Sequence, residues 1–237
     1  MSYRGGGGFS LGGSLSTMVR LLIAWNVIFF LGMTIAEKLN PTFYELALGY
    51  LGLVPAALFH GFIWQIVTYM FLHGSFMHIL FNMLALWMFG SELEHEWGAK
   101  RFLQYYFVTG IGAGITNAVF QPHSFVPIVG ASGAIYGLLL AFAIRWPNRP
   151  ILIWFLFPMP AKYFVIIFGA FEFVSSLPSV MDRGQGHGGG IAHLAHLGGI
   201  LFGLLFLWIV PWGPLHRRRR KKTTVYDIRD YIDRDDR

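Results

Sequence analysis

The sequence predicts an all-α fold: a polytopic membrane protein built as a bundle of six transmembrane helices. Three observations carry that prediction. Of 237 residues, 55% are hydrophobic and only 13% are charged, against roughly 25% charged in a soluble globular domain. The apolar residues fall in long stretches separated by short polar breaks. The basic residues collect in alternate breaks, as loops on one side of a membrane do. This composition excludes disorder and argues against a single soluble core. Backbone groups in lipid must be satisfied within the segment, so the stretches read as helices rather than strands.

Residues 1–16, rich in Gly and Ser, read as a flexible N-terminal segment. Residues 17–212 then carry the helical domain, with spans expected at 18–36, 68–90, 101–120, 131–146, 150–174 and 190–210. Each is near the roughly 20 residues a helix needs to cross hydrocarbon, the fourth being short. The first is long for a signal peptide, and no small-residue cleavage site follows it. Residues 37–67 form a long loop whose aromatic content suits the membrane interface. Residues 182–190 read as a flexible hinge, and 213–237 as a charged cytoplasmic tail.

Charge orients the bundle. Lys100 and Arg101 follow the second span, Arg145 and Arg149 the fourth, and the run Arg217 to Lys222 the sixth. All three places fall on one side, which is therefore cytoplasmic and holds both termini. The opposite side offers only Lys38 and Arg183. The net charge of +6 owes much to the C-terminal run, which is a topology anchor rather than a nucleic-acid surface. The absence of cysteine excludes disulfides and thiolate chemistry. No internal repeat is visible, which argues against an inverted-repeat transporter.

Polar groups inside apolar spans are costly and mark function. Here they fall on three spans of the same parity. The second carries His73, His78 and Asn82; the fourth opens with Gly130-Ala131-Ser132-Gly133 and continues to Tyr136; the sixth carries His193 and His196. All sit in the outer halves of their spans. His78 and Asn82 share a helix face at i,i+4, as do Ser132 and Tyr136. Gly133 with Gly137, and Gly199 with Gly203, make two Gly-x-x-x-Gly stripes that let backbones approach closely. The fourth and sixth spans are therefore expected to pack tightly, with Ser132 within reach of His196.

That pairing has a chemistry. A serine hydroxyl is a weak nucleophile until a base takes its proton, and His196 is the expected base. Acyl transfer also develops an oxyanion, for which His78, the Asn82 amide and the Ser132 backbone N–H are suited donors. No acidic residue is expected to orient His196, so the reading is a Ser–His dyad. Glu172, a lone carboxylate in an apolar run, reads as a helix–helix hydrogen bond or a gating contact. His73 reads as a structural tie to the first loop. The Gly-x-x-x-Gly register after His196 favours it over His193 as the base.

These residues resemble a known family. Gly130-Ala131-Ser132-Gly133 resembles the Gly-x-Ser-Gly of rhomboid intramembrane serine proteases, and Ala195-His196-Leu197-Gly198-Gly199 with Gly203 resembles that family's histidine helix. His73 to Met83 resembles its second transmembrane helix, and Glu94, Gly98 and Arg101 the polar turn after it. Trp64-Gln65 departs from the family's Trp-Arg in the first loop. The resemblance implies a compact six-helix, rhomboid-like bundle that cleaves single-pass or other transmembrane substrates in or beside the bilayer, with no metal or organic cofactor. It implies Ser132 as nucleophile, His196 as base, His78 and Asn82 in the oxyanion hole, and Tyr136 packed on the histidine. The expected location is a prokaryotic plasma membrane, with the site opening to the outer side.

Two rivals remain open at this stage. One is an inactive membrane chaperone of the same fold, against which stands the presence of both dyad residues. The other is a metal site at His73, His78, His193 and His196, since imidazole suits zinc or copper. Against the second, no carboxylate is expected beside these histidines, and His95-Glu96 lacks the second histidine of His-Glu-x-x-His because Ala99 stands there.

Overall fold

The computed structural model describes residues 14–153, 156–181 and 191–210. Residues 1–13, the hinge expected at 182–190 and the tail from 211 onward therefore lie outside the described residues. The chain is mostly helical. Helix α1 (Thr17–Leu39) is followed by α2 (Pro41–Leu51) and two short turns, α3 (Pro55–Leu58) and α4 (Gln65–Thr68). Helix α5 (Phe76–Ala85) continues through a π turn, Leu86–Gly90, into α6 (Ser91–Trp97), making one rod. Then come α7 (Ala99–Phe120), α8 (Ser132–Arg145), a β-hairpin of β1 (Pro150–Ile153) and β2 (Phe157–Pro160), α9 (Ala161–Met181) and α10 (Ile191–Ile209).

Among the described residues, three helices are long and apolar enough to cross a membrane: Thr17–Leu39, Phe76–Trp97 and Ala161–Pro178. Ser132–Arg145 and His193–Ile209 are apolar but shorter. The 14 residues of α8 reach about 21 Å at 1.5 Å per residue, short of a hydrocarbon core of about 30 Å. A helix this short suits a central place, and α8 has it. Leu138, Ala141 and Phe142 are buried, and α7, α9 and α10 all pack on this helix. Helix α1, by contrast, presents Trp25, Ile28, Leu31 and Ile35 outward.

Two expected spans are displaced. The second was expected at 68–90, yet the rod starts at Phe76 and ends at Trp97. Leu72 is extended and breaks the helical path. Ser75 restarts it as an N-cap, its hydroxyl accepting from His78 N at 3.2 Å. Gly98, at φ +82°, ends the rod in a conformation that favours glycine. The fifth span was expected at 150–174, but residues 150–160 hold the hairpin instead, paired antiparallel with Pro150 opposite Pro160. A helix running on from Pro150 would place Pro158 and Pro160 in its interior, where each would remove a backbone donor, and the helix starts instead at Ala161, after the last proline. The all-α expectation is corrected to that extent.

Polar contacts gather the rod ends at one pole. Glu94 closes the start of α1, its carboxylate accepting from Met18 N and Val19 N at 3.0 Å and from the Ser16 hydroxyl at 2.5 Å. Arg101 donates to Val210 O at 2.8 Å. Arg145 pairs with Glu96 and Arg149 with Glu92, at 2.7 and 2.9 Å. The other pole holds the first loop and the N-terminus of α8. There Gln65, fully buried, accepts from Val54 N at 3.0 Å and donates to Gly49 O at 2.8 Å. The glutamine that departs from the family's arginine thus pins the loop from within.

Candidate active site

The segment before α8 is held from two sides. Leu53 and Ile128 exchange backbone hydrogen bonds at 3.0 and 2.8 Å, tying it to the first loop. Gly130 N donates to Tyr69 O at 2.9 Å, and Tyr69, itself buried, donates its hydroxyl to Gly110 O at 2.6 Å. Gly130 sits at φ +124°, where a side chain would be strained, and a Cβ there would lie 2.7 Å from His78 Nε2. So the glycine lets the imidazole of His78 lie against the turn. Ser132 follows as the first residue of α8, where the leading backbone N–H groups have no intrahelical acceptor.

From α10, His196 meets it. The Ser132 hydroxyl donates to His196 Nε2 at 2.8 Å. The Tyr136 ring stacks on the His196 ring, centroids 4.3 Å apart and planes 15° apart. Close helix approach makes this possible. A Cβ on Gly199 would lie 1.9 Å from Gly133 O, and one on Gly133 would lie 2.4 Å from the Ala113 Cβ. The two stripes do not simply face each other, however. Gly137 packs on Thr109, and Gly203 on the Tyr105 hydroxyl, so α7 fills the space one turn below.

The other expected residues divide. His78 reaches the Gly130 turn and lies edge-on to His73, centroids 4.9 Å apart. Asn82 is buried and spends an amide N–H on His78 O at 2.8 Å, one turn back on its own helix. His193 does not contact Ser132; its Nδ1 donates to Glu172 Oε2 at 2.5 Å.

Glu172, expected as a helix–helix hydrogen bond or a gating contact, does bond between helices, but its place beside His196 was not foreseen. Its carboxylate is buried, accepts from the Tyr136 hydroxyl and from His193, and has Oε2 at 3.1 Å from His196 Nδ1. The expectation that no acid stands beside His196 is corrected. So is the expectation that no carboxylate accompanies the histidines. Glu172, His193 and His196 each offer a ligand atom, all within 4.8 Å of one another, a set able to hold a cation. The signal was present: a lone carboxylate in an apolar run needs a partner. Helical spacing relates residues on one helix only, and Glu172 is on α9 while its partners are on α8 and α10.

A family model described as the Rhomboid domain matches residues 60–213. The chain belongs to the rhomboid family. Rhomboid protein 1 of Saccharomyces cerevisiae, mitochondrial, is 33% identical over 164 residues, covering 66% of this chain and 44% of that protein. Rhomboid protease GluP of Bacillus subtilis is 33% identical over 141 residues, covering 59% and 24%. Rhomboid-like protein 11 of Arabidopsis thaliana, chloroplastic, is 29% identical over 205 residues, covering 79% and 65%. The chain thus spans less than half the length of the first two. Rhomboid relatives include named proteases and come from bacterial and organellar settings. Membership therefore makes this a membrane protein without fixing which membrane.

Proposed function

We propose that this rhomboid protein is an intramembrane serine endopeptidase, hydrolysing peptide bonds in or next to transmembrane segments of other membrane proteins. The 2.8 Å hydrogen bond from Ser132 to His196 Nε2 carries the reading. As Ser132 Oγ attacks the scissile carbonyl, its proton passes to His196 Nε2, which returns it to the leaving amine. Water then attacks the acyl-serine and gives its proton to the same nitrogen, and Ser132 Oγ leaves as the hydroxyl. His78, the second N–H of Asn82 and the first backbone N–H groups of α8 stabilise the oxyanion. Tyr136 supports the base by stacking, and Gly130, Gly133, Gly199 and Gly203 permit the approach.

Residues 17–212 form the catalytic domain in this proposal, crossing the membrane six times with both termini cytoplasmic. The pole of paired charges around Glu96 and Arg145 lies inside, and the pole with Ser132 opens outward. A substrate enters laterally from the bilayer and unwinds locally, since helical carbonyls are otherwise hydrogen-bonded. No cofactor takes part.

Ser132→Ala should abolish cleavage of a model membrane substrate, and fluorophosphonate labelling, while leaving the thermal unfolding midpoint in detergent near wild type. Retained cleavage would overturn the reading. The cation-holding set of Glu172, His193 and His196 supports a second reading, a metal-dependent site. EDTA separates the two: serine proteolysis survives it, and a metal site is silenced.

A further inference from the structure

The dyad leaves one group unused. Glu172 is only 3% exposed, yet it sits among apolar neighbours on a helix that otherwise presents Ile166, Ile167, Phe171 and Phe173 outward. A carboxylate there is costly unless its charge is answered. Two donors hold it: the Tyr136 hydroxyl on Oε1 and His193 Nδ1 on Oε2. Tyr136 is also the ring stacked on His196.

The tautomer of His196 follows from its partners. If Nε2 accepts from Ser132, the single proton of the neutral ring lies on Nδ1. That Nδ1 is buried and, among the described residues, makes no hydrogen bond of good geometry. Yet Glu172 Oε2 stands 3.1 Å away. The distance suits an ion pair and the direction is oblique, so the contact in the resting site is one of charge more than of a directed bond.

We infer that Glu172 is a positioning residue of this site, holding the His196 imidazole in the Nδ1–H tautomer and balancing the positive charge it acquires when Ser132 gives up its proton. The inference rests on the serine-protease reading. Proton bookkeeping is simple: Ser132 Oγ–H breaks, His196 Nε2–H forms, and Glu172 stays ionised throughout. His193 and Tyr136 act on Glu172, fixing its two oxygens. The carboxylate comes from α9, the base from α10 and the nucleophile from α8, so the arrangement is complete only while α9 is docked.

Docking suggests a rival role for Glu172, a latch that merely holds α9 shut. Two readouts separate the roles. Fluorophosphonate is small, and its labelling rate of Ser132 reports base strength without admission of a substrate helix. Cleavage of a membrane substrate gives kcat and KM separately. Glu172→Gln should slow labelling and lower kcat by about 100-fold, less than the roughly 10⁴-fold of an in-line triad acid because the contact here is oblique. KM should stay within about twofold. Glu172→Asp, which keeps the charge, should recover about tenfold of the loss. Labelling and kcat within about twofold of wild type in Glu172→Gln would overturn the inference. So would unchanged labelling with altered KM, the mark of a latch. If Glu172→Gln fails to fold, Glu172→Asp and His193→Gln carry the same labelling comparison, with wild-type rates in both counting against the role. Cleavage by Ser132→Ala would instead sink the serine reading itself.

Discussion

Two histidines one turn apart on α10 face different partners, and this sets their expected roles. His196 Nε2 meets the Ser132 hydroxyl, while His193 Nδ1 meets Glu172. Removing His196 takes away the proposed proton acceptor. His196→Ala should therefore lower kcat by about 10⁴-fold or more, as loss of a base that acts together with its nucleophile does. His193→Ala removes a support of a support and should cost about tenfold. Single-turnover cleavage of one substrate by both variants checks this. The reverse order would move the base to His193. The glycine register after His196 already favoured this order, because only His196 begins the stripe that lets α10 touch α8. The Glu172 contact was beyond that argument, since nothing in one chain's periodicity relates position 172 to position 196.

Packing between elements rests on places where a methyl group does not fit. Gly199 is the clearest: its missing Cβ leaves room for Gly133 O, a backbone atom that cannot swing aside. Gly199→Ala should destabilise the protein by about 3 kcal/mol, at the upper end of overpacking costs, and abolish Ser132 labelling by parting α8 from α10. Gly169→Ala is the matched control. Its Cβ would meet nothing closer than the Ile200 Cδ1 at 3.8 Å, and alanine favours a helix by about 1 kcal/mol over glycine. Its thermal midpoint should hold or rise. A midpoint in Gly199→Ala equal to the control would contradict the packing account. Much of this was legible in advance: the small-residue stripes, the helix faces of His78 with Asn82 and of Ser132 with Tyr136, and a fourth helix expected at 131–146 and found at Ser132–Arg145. Three things were not. Apolar content alone could not reveal that Pro150, Pro158 and Pro160 turn the start of the fifth span into a hairpin. It also hid the break at Leu72, because an extended apolar residue and a helical one have the same hydropathy. Gln65 read as a departure from a family pattern, whereas its buried amide bonds both sides of the first loop.

At the scale of the whole molecule the two poles differ in chemistry. One collects Glu92, Glu94, Glu96, Arg101, Arg145 and Arg149 in ion pairs and helix-end contacts. The other carries the loop from Asn40 to Trp64, with Phe43, Leu46, Tyr50 and Phe59 exposed, and the turn that presents Ser132. Exposed aromatics on the same pole as Ser132 suit an end that meets headgroups on one side of the bilayer. In the proposed orientation, Arg101, Arg145 and Arg149 put the first pole on the cytoplasmic side. The sequence contains no cysteine, so a single introduced thiol is a unique reporter of side. Lys38, at the end of α1, and Lys100, at the start of α7, are both exposed and lie at opposite poles. In sealed cells, Lys38→Cys should react with a membrane-impermeant maleimide. Lys100→Cys should react only after permeabilisation. Equal labelling of both in sealed cells would mean that the rods do not separate the poles across the bilayer. Labelling of Lys100→Cys alone would invert the bundle and turn the Ser132 pole toward the cytoplasm.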